Sequence, residues 1–371
     1  MALPAAVDAV AAEAPGRLAM LLDDGSCLTY RGLAQKSSSV AQGLVALGVS
    51  RRPLLSHMQR GCDWYVLYIA AARLGVPLAA MPVEPSKGRS PELRSLRWSQ
   101  LLALEPQLLI VDDEALPTEV ELRRYHFRKV LDLGAQETDA SVKKFVSEVS
   151  EDDVLCFCRT PRGFTGGTTG RQRCVPVTHG MAWHELRRYP EALHWPGDLS
   201  SGEGARVLQP SSLYWASAVF GQLDLALALR GCAVVSEAMD VKDLAKAIRT
   251  HQVNVVGLPP SLLSLMDPSD FIETRSQGGY CHLRRLISWG EPCPPAVASR
   301  WGAAALPWRF FDVLISTEYW LSFVASEQDE KGRSLFMPVK DLEVYLKPVG
   351  ETEEFGELCL HGPGVCQSLP G

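Results

Sequence analysis

Through most of its length the chain switches between two hydrophobic periods, and that alternation restricts the folds open to it more than any other feature. RLAMLLDD (17–24), RPLLSHMQ (52–59), VPLAAMPV (76–83), QLLIVDD (107–113) and KVLDL (129–133) read as short strands. Between them SSVAQGLVALG (38–48), closed by Gly48, DWYVLYIAAARLG (63–75) and a stretch near 93–105 read as helices. A charged stretch at 135–152 is the best candidate for a surface linker. The alternation then resumes. VLCFCRT (154–160), RVLQP (206–210), CAVVSE (232–237), VNVVGLPP (253–260), LRRLISWGE (283–291) and RFFDVLISTEYW (309–320) read as strands or strand-to-loop junctions, with helices at 216–231 and 241–252. Such alternation builds parallel sheets covered by helices on both faces. From about 335, MPVKDLEVYLKPVGETEEFGELCLHG alternates apolar and polar residues around a glycine-containing turn, the pattern of an antiparallel pair. The expected class is α/β, with helix-covered, mostly parallel sheets in two subdomains, about 1–150 and 151–334, and a small antiparallel β unit at 335–371.

A chain of 371 residues can bury a large core. Its formal net charge of -6 argues against nucleic acid or an anionic membrane as a general partner. The ten cysteines include no C-x-x-C and no zinc-spaced Cys/His set, so buried reduced thiols of a cytoplasmic protein are expected. The N-terminal MALPAAVDAVAAEAPGRLAM lacks a basic start and is interrupted by Asp8 and Glu13, which favours a mature helix over a signal peptide. The apolar run WYVLYIAAA (64–72) ends at Arg73, short of the ~20 residues that span a bilayer.

One loop breaks this regular texture. GFTGGTTGRQRCVPVTHG (163–180) follows an apolar strand directly. Glycines allow positive φ and close backbone approach, so successive N–H groups can converge on an anion. The threonine hydroxyls add donors, and Arg173 adds charge. The loop matches neither the Walker pattern nor G-x-G-x-x-G, and composition alone leaves a solvated turn and a phosphate cradle equally open.

TGGTTGRQRCVPVTH closely resembles the signature of the adenylate-forming superfamily, which includes acyl-CoA synthetases, luciferases and the adenylation domains of nonribosomal peptide synthetases. Phe164, Thr165, Gly167, Thr168, Thr169, Gly170 and Val175 match, and Thr178 and His179 follow in place. Gly166, Gln172, Arg173 and Cys174 replace the usual Ser, Pro, Lys and Gly. The rest of the family pattern appears in order: LTYRGLAQKSSSVAQGLVALGV (28–49), the stretch 63–84, LQPSSLYW (208–215), LRGCAVVSE (229–237), LRRLISWGE (283–291), DVLISTEYW (312–320) and GELCLHGPGV (356–365). The family's T-G-D motif and small C-terminal domain with its catalytic Lys have no counterpart before Gly371, so the resemblance is to the large N-terminal domain.

The resemblance implies a set of roles. Thr165, Gly166, Gly167, Thr168, Thr169, Gly170 and Arg173 would hold the outer phosphates of ATP. Gly290, Glu291 and Asp312 would border adenine, with Leu314 where a stacking aromatic is usual. Thr317 would contact the α-phosphate and Glu318 would hold Mg²⁺, a hard cation suited to carboxylate oxygen. Trp215 and Trp289 would line the acyl pocket. Trp215 stands where amino-acid-activating members carry an Asp for the substrate amine, so the resemblance points to a small or flat apolar carboxylic acid. The reaction it implies is attack of a carboxylate on Mg·ATP to give acyl-AMP, then transfer to coenzyme A or to phosphopantetheine. The implied partners are the acid, a carrier protein and a C-terminal domain acting in trans. Three functions remain open on these residues: an AMP-forming acid–thiol ligase, as a fragment or in impaired form; a catalytically dead nucleotide-binding interaction module; and an amino-acid adenylation domain.

Overall fold

The computed structural model describes residues 3–81, 83, 91–113, 121–136, 149–159, 174–196, 204–213, 215–238, 240–271, 281–348 and 356–366. Helix α1 (Leu3–Glu13) precedes β1 (Leu18–Leu22) and β2 (Cys27–Thr29). Helix α2 (Tyr30–Ala46) starts at Thr29, whose hydroxyl accepts the Gly32 N–H at 3.1 Å, an N-cap. Then come β3 (Leu54–His57), α3 (Cys62–Leu74), β4 (Leu78–Ala80), α4 (Pro91–Leu102), β5 (Leu108–Val111), β6 (Arg124–His126) and α5 (Phe127–Gly134). The second half runs β7 (Val154–Arg159), β8 (Cys174–Thr178), α6 (His179–Ala192) and β9 (Arg206–Gln209). Helix α7 spans 216–228 and carries a wide π turn at Val219–Asp224; β10 (Cys232–Val235), α8 (Val241–Thr250) and β11 (Val255–Leu258) follow. The last elements are α9 (Pro260–Leu265), β12 (Arg285–Trp289), α10 (Pro295–Trp301), β13 (Arg309–Leu314), β14 (Phe323–Ala325), β15 (Met337–Pro338), β16 (Glu343–Pro348) and β17 (Gly356–His361).

Two mostly parallel sheets result. One has six strands in the order β6-β5-β3-β4-β7-β8, the other nine in the order β15-β14-β13-β12-β11-β9-β10-β1-β2. Sheet membership does not divide at residue 150. The early strands β1 and β2 extend the nine-stranded sheet through parallel pairing of β1 with β10, while β7 and β8 close the six-stranded one. The chain therefore crosses between the sheets, and α3 lies among residues of both. Ten of its thirteen residues are buried, as a helix apolar on every face requires.

One sequence expectation is corrected. KVLDL (129–133) is not a strand but lies within α5, where Phe127, Val130 and Gly134 recur at helical spacing and are buried. Gly134 lets α5 seat against α2: a Cβ there would lie 1.6 Å from the Ser39 carbonyl oxygen. Gly134→Ala is therefore expected to cost about 3 kcal/mol in denaturant unfolding. A cost below 1 kcal/mol would show that the helices can part. The antiparallel unit expected after 335 is present as the pair β16–β17. Met337–Pro338 joins the nine-stranded sheet, and only β16 and β17 form a separate antiparallel ribbon, with Tyr345 and Leu346 exposed.

The proposed linker core, 137–148, lies outside the described residues. Of the cysteines, 156, 158 and 232 are buried, whereas Cys27 is exposed. Among the described residues there is no disulfide, and no helix is long and apolar enough to cross a membrane.

Candidate functional site

Strands β9, β11, β12 and β13 run parallel, so the loops that follow them leave the sheet along one edge. Ligands of open α/β sheets gather at such carboxyl ends. Here the loops enclose a cavity of about 430 Å³. After β9 come Ser211 and Trp215; β12 contributes Trp289, and the turn after it Gly290 and Glu291. The turn after β13 supplies Ile315, Thr317 and Trp320. Arg159, the last residue of β7 in the other sheet, also lines it.

Arg159 is where three parts of the site meet. The buried Thr317 hydroxyl donates to its carbonyl at 3.5 Å, and its backbone makes a parallel bridge with Trp215. Arg159 is also the last described residue before the glycine–threonine loop. Residues Thr165, Gly166, Gly167, Thr168, Thr169, Gly170 and Arg173 themselves lie outside the described residues, but the strand that leads to them ends against Thr317.

Gly290 sits at φ +82°, and an added Cβ there would touch nothing; the turn needs glycine for its backbone angle. Glu291 accepts from the Ser261 N–H at 3.1 Å and the Ser261 hydroxyl at 3.0 Å, which pins this turn to the start of α9. Ser316 Oγ donates to Glu318 Oε2, and the Cys366 N–H donates to the Glu318 carbonyl at 2.8 Å. The half-buried Glu318 is thus held in place with carboxylate lone pairs left that would suit a hard cation. Among the described residues no group of three or more His, Cys, Asp or Glu side chains is gathered for a metal.

The structure brings Trp215, Trp289, Gly290, Glu291 and Thr317 to one cavity. Asp312 and Leu314 are not among its lining residues. Asp312 is buried on β13 and opens on a separate polar cavity of about 550 Å³; its carboxylate accepts from Ser334 Oγ at 2.6 Å, and burial pushes its pKa up. Leu314, at 39% exposure, lies beside Ile315, which does face the cavity.

Sequence reasoning placed Trp289 at the pocket but missed Trp320, which walls the cavity beside it. The rings of Trp289 and Trp320 meet edge to face, with centroids 5.7 Å apart and planes at 64°. Trp289 rests directly on the backbone of β11: a Cβ on Gly257 would fall 2.0 Å from its Cη2. A Cβ on Gly221 would fall 2.6 Å from Trp320 Cζ2. A glycine inside the apolar strand VNVVGLPP was the available signal, since an interior strand glycine marks close approach of another group. Trp320 Nε1 donates to the Tyr189 hydroxyl, which donates to the Phe220 carbonyl at 2.9 Å. Two fully buried acids were also missed. Asp224, in the π turn, accepts from the Tyr68 hydroxyl at 3.2 Å, and burial lifts its pKa to about 8. Burial pushes Glu185 of α6 well up too.

The chain belongs to the AMP-binding enzyme family, whose model matches residues 7–369. It is similar to the nonribosomal peptide synthetase gliP of Aspergillus fumigatus, 28% identical over 284 residues that cover 75% of this chain and 11% of that protein. Triostin synthetase I of Streptomyces triostinicus is 28% identical over 289 residues, 75% of this chain and 50% of that protein. The chain thus spans a part of these relatives. Among solved structures, the N-terminal subdomain of NpsA from Klebsiella oxytoca in complex with 3-hydroxybenzoyl-AMSN superposes with a TM-score of 0.76 at 20% identity, over 100% of this chain and 88% of that one. An artificially fused adenylation–PCP di-domain, NpsA-ThdA, gives 0.77 at 19% identity, over 100% of this chain and 70% of that one. At these identities the likeness is one of fold, and it extends to the two-subdomain arrangement with a small antiparallel pair near the end.

Proposed function

We propose that this domain activates a carboxylic acid with Mg·ATP as the acyl adenylate and passes it to a thiol on a carrier protein. One observation carries the proposal: the root of the glycine–threonine loop, Thr317 and Trp215 meet at Arg159 on the rim of a single cavity. This supports a reading in which the groups for phosphate and for the acyl chain act side by side, as in-line attack on the α-phosphorus needs. Thr317 would face that phosphate, Glu318 would hold the Mg²⁺, and Gly290 and Glu291 would border the base. The loop 165–170 and Arg173 would hold the departing pyrophosphate. Mg²⁺ supplies charge neutralisation on the phosphates. The carrier partner is supported by the peptide synthetase relatives and the adenylation–PCP fold neighbour. Coenzyme A is the alternative thiol.

A second reading rests on Ile315, which lines the cavity where the family has a glycine, and on the exposed Leu314 in place of a stacking aromatic. In that reading nucleotide is held but not turned over. Calorimetry of Mg·ATP binding, followed by acid-dependent pyrophosphate release, separates the two. Glu318→Gln is expected to weaken Mg·ATP at least tenfold while leaving the fold's melting temperature in place. Equal binding by both proteins would remove Glu318 from the metal site. Saturable ATP binding without pyrophosphate release from any acid would favour the nucleotide-holding module.

A further inference from the structure

Granting the adenylation reading, we infer that the acyl pocket selects a planar aryl carboxylic acid without an α-amino group, and that Trp320 sets the depth of that pocket. The wall is aromatic and immobile. Trp289 sits on the backbone at Gly257 and Trp320 on the backbone at Gly221, so neither indole has room to retreat. Trp320 is further fixed through Tyr189 to the Phe220 carbonyl, and its ring leans on Phe220 with centroids 6.4 Å apart. Edge-to-face indoles in fixed positions favour a flat π system over a branched aliphatic chain.

Charge points the same way. Among the described residues the acidic ones lining the cavity are Asp240 and Glu291, and neither is buried. Asp240 is exposed and caps α8, accepting the Lys242 and Asp243 N–H groups at 2.9 Å. Glu291 is engaged by Ser261. The deep acids Asp224 and Glu185 are not lining residues, and burial favours their neutral forms. An ammonium pushed into this pocket would find no buried counter-charge among the described residues, a costly arrangement.

The test uses three non-hydrolysable probes, benzoyl-, 2-naphthoyl- and L-phenylalanyl-sulfamoyladenosine, titrated calorimetrically beside Mg·ATP. Benzoyl-sulfamoyladenosine is expected to bind at least tenfold more tightly than the L-phenylalanyl probe. Trp320→Phe, which replaces the bicyclic indole by a single ring, is expected to raise the naphthoyl-to-benzoyl affinity ratio at least fivefold. Tyr189→Phe keeps the packing volume and removes the latch; it is expected to move the same ratio in the same direction. A preference for L-phenylalanyl, or ratios unchanged in both variants, overturns this inference alone. Absence of binding by all three probes and by Mg·ATP overturns the adenylation reading and this inference with it.

Discussion

Gly257→Ala is expected to destabilise the domain by about 2 kcal/mol and to disturb the acyl pocket, and Trp289→Leu is expected to recover a large part of the loss. The added methyl would sit 2.0 Å from Trp289 Cη2 and 2.3 Å from Cζ2, far inside contact distance. Gly257 lies in the middle of the buried strand β11, paired on one side with β12, so the backbone cannot shift without breaking the ladder. The indole is also in edge-to-face contact with Trp320, so any shift of the ring disturbs that pair. Overpacking of this kind costs about 1–3 kcal/mol. Trp289→Leu alone removes buried area and leaves a cavity, a loss of similar size. Combined, the smaller side chain makes room for the methyl. The double variant should therefore be more stable than the sum of the single effects by at least about 1 kcal/mol, measured by urea unfolding of all four proteins. Simple additivity would mean that β11 and Trp289 are not in the contact described.

That glycine–tryptophan pair marks how far the sequence could be read. Local signals were strong. The apolar period of α8 and the run of valines in β11 each specify their element alone. The strand ends carrying Thr317, Gly290 and Trp215 could be placed near one another because parallel strands must present their carboxyl ends on one edge. What depended on long-range packing was hidden. KVLDL has the length and residue types of a strand, and only the neighbouring helix α2, met at glycines, decides for helix. Pairing of β1 with β10 joins residues more than 200 positions apart, which no local pattern encodes. Trp320 stood two residues past Glu318 in plain sight. Its role depends on Gly221 and Tyr189, from two helices distant in sequence.

The buried acid at Asp224 makes stability fall as pH rises. Its carboxyl titrates at about 8 in the fold against 3.8 for an ordinary aspartate. Burial is the main cause, and the hydrogen bond from Tyr68 offsets a part of it. Between those two values the native state keeps a proton that the unfolded chain has released. Linkage then gives a negative slope of stability against pH. The contribution is fully present below pH 3.8 and is lost progressively as pH climbs to about 8. A single group acting alone gives a slope approaching ~1.4 kcal/mol per pH unit in that window. Glu185 is shifted in the same direction and adds to it. Asp224→Asn removes one titrating proton while keeping an acceptor for the Tyr68 hydroxyl. The stability of the variant relative to wild type should therefore rise steadily from pH 5 to pH 8. Urea unfolding of both proteins at pH 5, 6.5 and 8 measures this difference directly, since all other titrating groups are shared. A difference that stays constant across the three pH values would show that Asp224 is ionised in the fold, and would require a buried cation or water to hold it.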